Sequence, residues 1–192
     1  MKIYPYLISL LIFSCTTKTK QKLTEMDFLV NDITFLASDS LEGREIGTQG
    51  EIIAADYIAK RFKEIGLTPK GDSNTYFQLF NRKQKAHPHD TAFMGEELTG
   101  RNVLGYIDNG ANKTVVVGAH YDHLGYGSEG SLHRGEKEIH NGADDNASGV
   151  AVMLDLAGKL KKANSSNNYL FMAFSGEEMG LLGSNYFTKN AT

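Results

Sequence analysis

Cysteine, clustered positive charge and long apolar runs are what this 192-residue sequence has least of. The single cysteine excludes an internal disulfide framework. Lys+Arg 20 against Asp+Glu 23 leaves a net charge of −3, and no block of lysine and arginine stands out. A nucleic-acid binder needs such a stripe to neutralise phosphates, so that class is excluded. No apolar stretch reaches the about 20 residues that cross a bilayer as a helix, which argues against a polytopic membrane protein. Internal repeats and low-complexity tracts are missing too. What is present is the balance of a globular domain, 41% hydrophobic and 22% charged, in a length suited to a single core. The 20 glycines gather in the second half, as loops that bring backbone close to a site require.

The amino terminus reads as a processing signal. Met1-Lys2 is a short basic start, and Tyr4 to Ser14 is a mostly apolar run of signal-peptide rather than membrane-span length. The run ends in Leu11-Ile12-Phe13-Ser14-Cys15, with an aliphatic residue three before the cysteine and a small one directly before it. This resembles a bacterial lipobox, which makes Cys15 the lipid-modified first residue of the mature chain. The expected organisation is a lipoprotein signal peptide over 1–15, a polar tether over 16–23 and a folded body over 24–192. Export and lipid anchoring to a bacterial membrane, on its periplasmic or cell-surface side, follow as the expected location.

The body alternates helix and strand. Thr24 with Asp27 three residues later, then Phe28, Leu29, Ile33 and Leu36, predicts a capped helix. Thr48 and Glu51 predict a second capping box, with Ile52, Ala55, Ile58, Phe62 and Ile65 as its apolar stripe and Gly66 as its stop. Strands are expected over 76–80, 102–107, 114–119 and 169–174, with a polar loop over 87–100 and a longer one over 120–143. The Val115-Val116-Val117 run predicts a strand buried on both faces. Helices are expected over 147–162 and from Gly180 to Phe187. This order is that of an α/β sheet with crossover connections, whose ligands gather beyond the carboxyl ends of strands.

Both relevant strand ends carry metal-type side chains. After Ala119 come His120, Tyr121, Asp122 and His123, and two-residue alternation turns His120 and Asp122 to one side. After Phe174 come Ser175, Gly176, Glu177 and Glu178, adjacent carboxylates that repel unless a cation or a shared proton stabilises them. Between the two lies Gly142-Ala143-Asp144-Asp145-Asn146-Ala147-Ser148-Gly149, an acidic turn opening a helix. Each feature alone is weak, because surface His-Asp pairs, Asp-Asn caps and Glu-Glu helix starts are all common. Their succession at the ends of buried strands is what points to a metal site.

The runs GAHYDHLG, NGADDNASG and SGEEMGLLGS resemble the three leading motifs of a zinc exopeptidase family that includes bacterial leucyl-type aminopeptidases and glutamate carboxypeptidases. The stretches LEGREIGTQGE, AADYIAKRFKEIGLTP and TYFQLF resemble that family's amino-terminal part, so the resemblance runs from about Leu23 to the end. It implies a three-layer α/β/α fold with a mixed, largely parallel central sheet, and a peptide substrate. It also implies zinc, two ions in the complete enzyme. By position, His120 would bind one zinc and Asp122 would orient it. Asp145 would bridge both ions, Glu178 would bind the second, and Glu177 would be the general base for zinc-activated water. His123, His133 and His140 have no ligand counterpart and read as loop residues, as do His87 and His89.

The family's two-zinc site uses five protein ligands, and the sequence offers three of them before Thr192. The expectation is therefore an amino-terminal portion of the catalytic domain, incomplete at its carboxyl end and with little activity of its own. An exopeptidase, most naturally an aminopeptidase, is the leading reading. A glutaminyl cyclase and a non-catalytic cell-surface module are the alternatives.

Overall fold

A computed structural model describes residues 23–85, 93–127, 130–163 and 166–192. Cys15, the expected lipidation site, and His87 and His89, expected in a loop, lie outside the described residues. Among the described residues no helix is long and apolar enough to cross a membrane.

The first helix, α1 (Glu25–Leu36), begins as its sequence requires. The Thr24 N–H donates to Asp27 Oδ2 at 2.7 Å while the Asp27 N–H donates to Thr24 Oγ1 at 3.2 Å, a reciprocal capping box. Helix α2 (Gln49–Ile65) starts differently from expectation. Thr48 Oγ1 accepts the Glu51 N–H at 3.3 Å, but the Glu51 carboxylate does not return to the cap. It is fully buried and reaches across the core instead. Gly66 ends α2 at φ +88°, a left-handed conformation that lets its N–H and that of Leu67 close on the last turn. Asp32 on α1 is buried and receives Tyr57 Oη and Arg61 Nε from α2 at 2.5 and 2.9 Å, which locks the two helices together.

Five strands form one mixed sheet: β1 (Thr68–Pro69), β2 (Phe77–Lys85), β3 (Phe93–Ile107), β4 (Thr114–His120) and β5 (Asn168–Phe174). The order is β1-β3-β5-β4, with β2 also paired to β3. Parallel pairing is confined to β4 and β5, and the other three pairings are antiparallel, a smaller parallel share than expected. The reason is β2 and β3, which form a long hairpin-type ribbon running from Phe77↔Val103 to Lys85↔Phe93 with a bulge between Lys83 and Lys85. Residues 93–100, expected as loop, therefore belong to a strand. Polar residues such as Asn81 and Thr99 on this ribbon give no apolar alternation, and backbone pairing holds it.

Alternation sorts the sheet faces. Val103, Ile107, Phe171 and Ala173 are buried on one face against α1, α2 and α3 (Ser148–Lys162). Leu104, Leu170 and Met172 occupy the other face, covered by Phe187 of α4 (Leu182–Lys189). This is the three-layer α/β/α arrangement. Among the described residues, strand β4 is the edge on this side and β5 is paired on both sides. The expectation for the valine run is corrected: Val115 and Val116 are 41% and 54% exposed, β4 having one neighbour among the described residues, so the run is not buried on both faces.

Candidate metal centre

Strands β4 and β5 run parallel with His120 opposite Phe174, so both leave the sheet at the same end. The Tyr121 N–H extends the pairing to the Phe174 carbonyl at 2.9 Å. Beyond Phe174 the chain turns at Gly176, φ +70°, and this left-handed residue swings Glu177 and Glu178 over the end of β4.

The third contribution comes from the acidic turn. Gly142, φ +56°, opens an irregular turn over Ala143–Ala147 in which Asp145 and Asn146 depart from helical geometry. Asn146 Oδ1 accepts the Gly149 N–H at 3.0 Å and so caps α3. With Asn146 serving the helix, Asp145 is left to face His120.

The donor atoms of His120, Asp145 and Glu178 all lie within 4.8 Å of one another. His120 Nε2 stands 2.9 Å from Asp145 Oδ1 and 3.8 Å from Glu177 Oε2. Asp144 is not among the converging groups. A pocket of about 300 Å³ opens here, lined by His120, Asn146, Glu177 and Ser184 among others. Burial pushes the His120 imidazole down, but the carboxylates of Asp122, Glu177 and Asp145 outweigh it and raise it to about 9. His120 thus lies among three carboxylates, with the buried Arg44 guanidinium also facing Asp122 and Asp145.

Asp122 lies beside His120, with 3.7 Å between its Oδ1 and His120 Nδ1. That exceeds hydrogen-bond length, and the Asp122 backbone oxygen is nearer to Nδ1, at 3.3 Å. The buried carboxylate instead accepts the Glu177 N–H at 3.1 Å and the Glu178 N–H at 3.4 Å. It anchors the turn that carries both glutamates, a task that residue spacing does not reveal.

Three further residues were not foreseen as parts of this site. His123, expected as a loop residue, has its Nδ1 2.6 Å from Glu178 Oε1. His140 and His133 stay within their loop, bonded to Ser131 Oγ, Glu138 O and Glu136 O. Arg44 is almost wholly buried and donates to the carbonyls of Leu36, Tyr121, Asn141 and Gly142, strapping the entry of the acidic turn to the end of β4. Burial lowers its guanidinium to about 10, with Asp122 and Asp145 opposing. Its position inside LEGREIG was visible, but the role was not, because buried arginines satisfied by backbone leave no acidic partner in the sequence.

Glu51 completes the frame. Its Oε1 accepts Tyr121 Oη at 2.7 Å, Ser175 Oγ at 2.8 Å and the Arg101 N–H at 3.2 Å, joining the ends of β4 and β5. Its Oε2 has no hydrogen-bond partner and faces Arg101 Nε at 3.7 Å. Burial raises this carboxyl, with Tyr121, Ser175 and Arg101 opposing. A carboxyl raised in the folded state binds its proton more tightly than the unfolded chain does, so its contribution to stability falls as pH rises through that window. Glu51→Gln keeps an acceptor oxygen for Tyr121 and Ser175 and removes the titration. The melting temperature of the variant relative to wild type is expected to climb as pH rises from 4 to 8. A pH-independent difference would show that Glu51 does not titrate in this way.

Residues 102–192 match the model of peptidase family M28. The chain is 32% identical over 149 residues to the alkaline phosphatase isozyme conversion protein of Escherichia coli, covering 77% of this chain and 41% of that protein. It is 40% identical over 128 residues to aminopeptidase YwaD of Bacillus subtilis, covering 65% of this chain and 25% of that one. The chain thus spans less than half the length of either relative. Its fold is similar to a Zn-dependent exopeptidase from Parabacteroides distasonis, with TM-score 0.61, 22% identity, and 87% and 55% of the two chains covered. It is equally similar to a glutaminyl cyclase from Fimbriiglobus ruber, with TM-score 0.62, 20% identity, and 85% and 54% covered.

Proposed function

From the match of residues 102–192 to peptidase family M28, we propose that the chain is a member of that family and that its site hydrolyses the amino-terminal peptide bond of a peptide with the help of bound zinc. The observation that carries this reading is the convergence of His120, Asp145 and Glu178 within 4.8 Å, with the Glu177 carboxylate 3.8 Å from His120. Three nitrogen and oxygen donors, with a pocket lined by His120 and Glu177 beside them, fit a catalytic zinc, which keeps one position for water or substrate. These three side chains would hold the ion, which when bound supplies Lewis acidity and a more acidic water. Were two ions bound, Asp145 would be the residue to serve both.

The chain's own residues account for the proton movements. The Glu177 carboxylate accepts a proton from the attacking water and returns it to the leaving amine nitrogen as the amide C–N bond breaks. Asp122 fixes where that carboxylate starts, through the Glu177 N–H. A free α-amino group is cationic, and the carboxylates of Asp145 and Glu177 favour it over a carboxyl terminus. The 40% identity to a protein named aminopeptidase supports the same choice. The Ile12-Phe13-Ser14-Cys15 run supports a protein held at a membrane outside the cytoplasm through lipidated Cys15.

Glu177→Gln is the direct test. The variant is expected to retain about one zinc per chain after dialysis, as three donors for one tetrahedral ion imply. Whatever release of leucine from leucine p-nitroanilide the zinc-loaded wild type shows, small as the sequence leads one to expect, should fall about 10²–10⁴-fold in the variant. Cyclisation of an amino-terminal glutamine substrate in place of hydrolysis would assign the site to glutaminyl cyclase chemistry instead. Wild-type chain that retains no zinc would overturn the metalloenzyme reading.

A further inference from the structure

We infer that His123 is a positioning residue of the metal centre, gripping Glu178 and bracing the turn that carries Asp145. The inference rests on the metalloenzyme reading above and deepens it. His123 has no ligand counterpart in the resemblance, yet its Nδ1 lies 2.6 Å from Glu178 Oε1. The His123 and Glu178 side chains are only 11% and 17% exposed, so water does not compete strongly for the contact. An ionised carboxylate only accepts, which makes the imidazole the donor and fixes its proton on Nδ1. A bond from a ring N–H to a carboxylate is of the charge-assisted kind, shorter and stronger than a neutral pair.

The second contact is with the acidic turn. A Cβ placed on Gly142 would meet His123 Cγ and Cδ2 at 2.6 Å, and the Asp145 carbonyl oxygen at 2.5 Å. The imidazole therefore lies flush against the residue that opens the Asp145 turn, and only glycine leaves room for it. The backbone adds a third tie, because the His123 N–H donates to the Arg44 carbonyl at 3.2 Å and Arg44 in turn holds the Asn141 and Gly142 carbonyls. One ring thus touches two of the three elements that bring donors together. Glu178 needs such a grip, since its neighbour Glu177 is of like charge. Groups that orient ligand carboxylates in this way typically contribute 10- to 100-fold in metal affinity.

The experiment measures zinc affinity of the full chain by competition with a chromophoric chelator, for wild type, His123→Ala, His123→Asn and His133→Ala. The asparagine amide places an N–H close to where Nδ1 donates, so His123→Asn is expected to bind within about threefold of wild type. His123→Ala is expected to bind about 10–100-fold more weakly. His133→Ala, altering a histidine bonded only within its own loop, is expected to match wild type. Cobalt loaded into His123→Asn is expected to give the wild-type absorption bands.

His123→Ala binding as tightly as wild type would overturn the inference. So would His123→Asn binding as weakly as His123→Ala with shifted cobalt bands, because His123 would then be a ligand itself. If His123→Ala fails to fold, His123→Asn still decides between these outcomes. A wild-type chain that binds no zinc defeats the metalloenzyme reading and this inference together. That pattern is distinct, because every variant then reads zero.

Discussion

Zinc affinity of the chain is expected to rise about a hundredfold between pH 7 and pH 9, roughly tenfold per unit, and then to level off. The cause is His120. Burial lowers its imidazole, but Asp122, Glu177 and Asp145 outweigh burial and raise it to about 9. At pH 7 the metal-free chain therefore carries a proton on the very atom a cation needs, and binding must displace it. The sign for folding stability is opposite. A histidine raised above its ordinary 6.5 stabilises the metal-free fold fully below that value, and this contribution is lost as pH rises through about 9. Acid therefore favours the empty fold while it weakens the loaded one. Chelator competition from pH 6.5 to 10 measures the slope, and calorimetry in buffers of different ionisation enthalpy counts about one proton released per zinc at pH 7. His120→Gln should remove that proton release. An affinity that stays flat across this range would show that His120 is not protonated in the empty site.

The parts of this centre that were legible in the sequence are those where one residue type can do one job. His120, Asp145, Glu177 and Glu178 stand at strand ends or in a glycine-bounded turn, and the fold brings them to one place. The helices were legible for the same reason, since caps such as Thr24 and stops such as Gly66 are local. Glu51 was misread because a Thr-x-x-Glu spacing describes a capping box equally well. What diverts its carboxylate is Tyr121, Ser175 and Arg101, which are 50 or more residues away. The valine run of β4 was misread because a continuous apolar strand does not say how many neighbours it has. The β2–β3 ribbon went partly unseen because backbone pairing needs no apolar pattern. His123 stayed hidden for a different reason. Its partner is 55 residues away, and a histidine beside a known motif is indistinguishable from a loop residue until the chain turns at Gly176.

Asp122→Ala is expected to destabilise the metal-free fold by about 2–4 kcal/mol and to weaken zinc binding about 10–100-fold. The two effects have separate origins. Asp122 is 1% exposed, and its carboxylate accepts the N–H groups of both Glu177 and Glu178. Alanine leaves both part-buried donors without this partner, and each such loss costs at most about 1–3 kcal/mol. It also removes one of the carboxylates that raise His120, so the imidazole should titrate below about 9 and the pH slope of zinc binding should level off earlier. Asp122→Asn separates these causes. The amide oxygen accepts one of the two N–H groups while its NH₂ confronts the other, so stability should fall less than with alanine. The charge is gone in both variants, so the His120 titration should move down in both. Urea denaturation and the NMR titration of the His120 ring read the two effects independently. Were Asp122 only an orienting partner for His120, stability would stay near wild type while zinc affinity fell. Were it only an anchor for the glutamate turn, the His120 titration would not move. The geometry has this carboxylate hold the turn after β5 by hydrogen bonds while its charge stands 3.7 Å from His120 at the end of β4. Loss of that group should therefore register in stability and in the imidazole together.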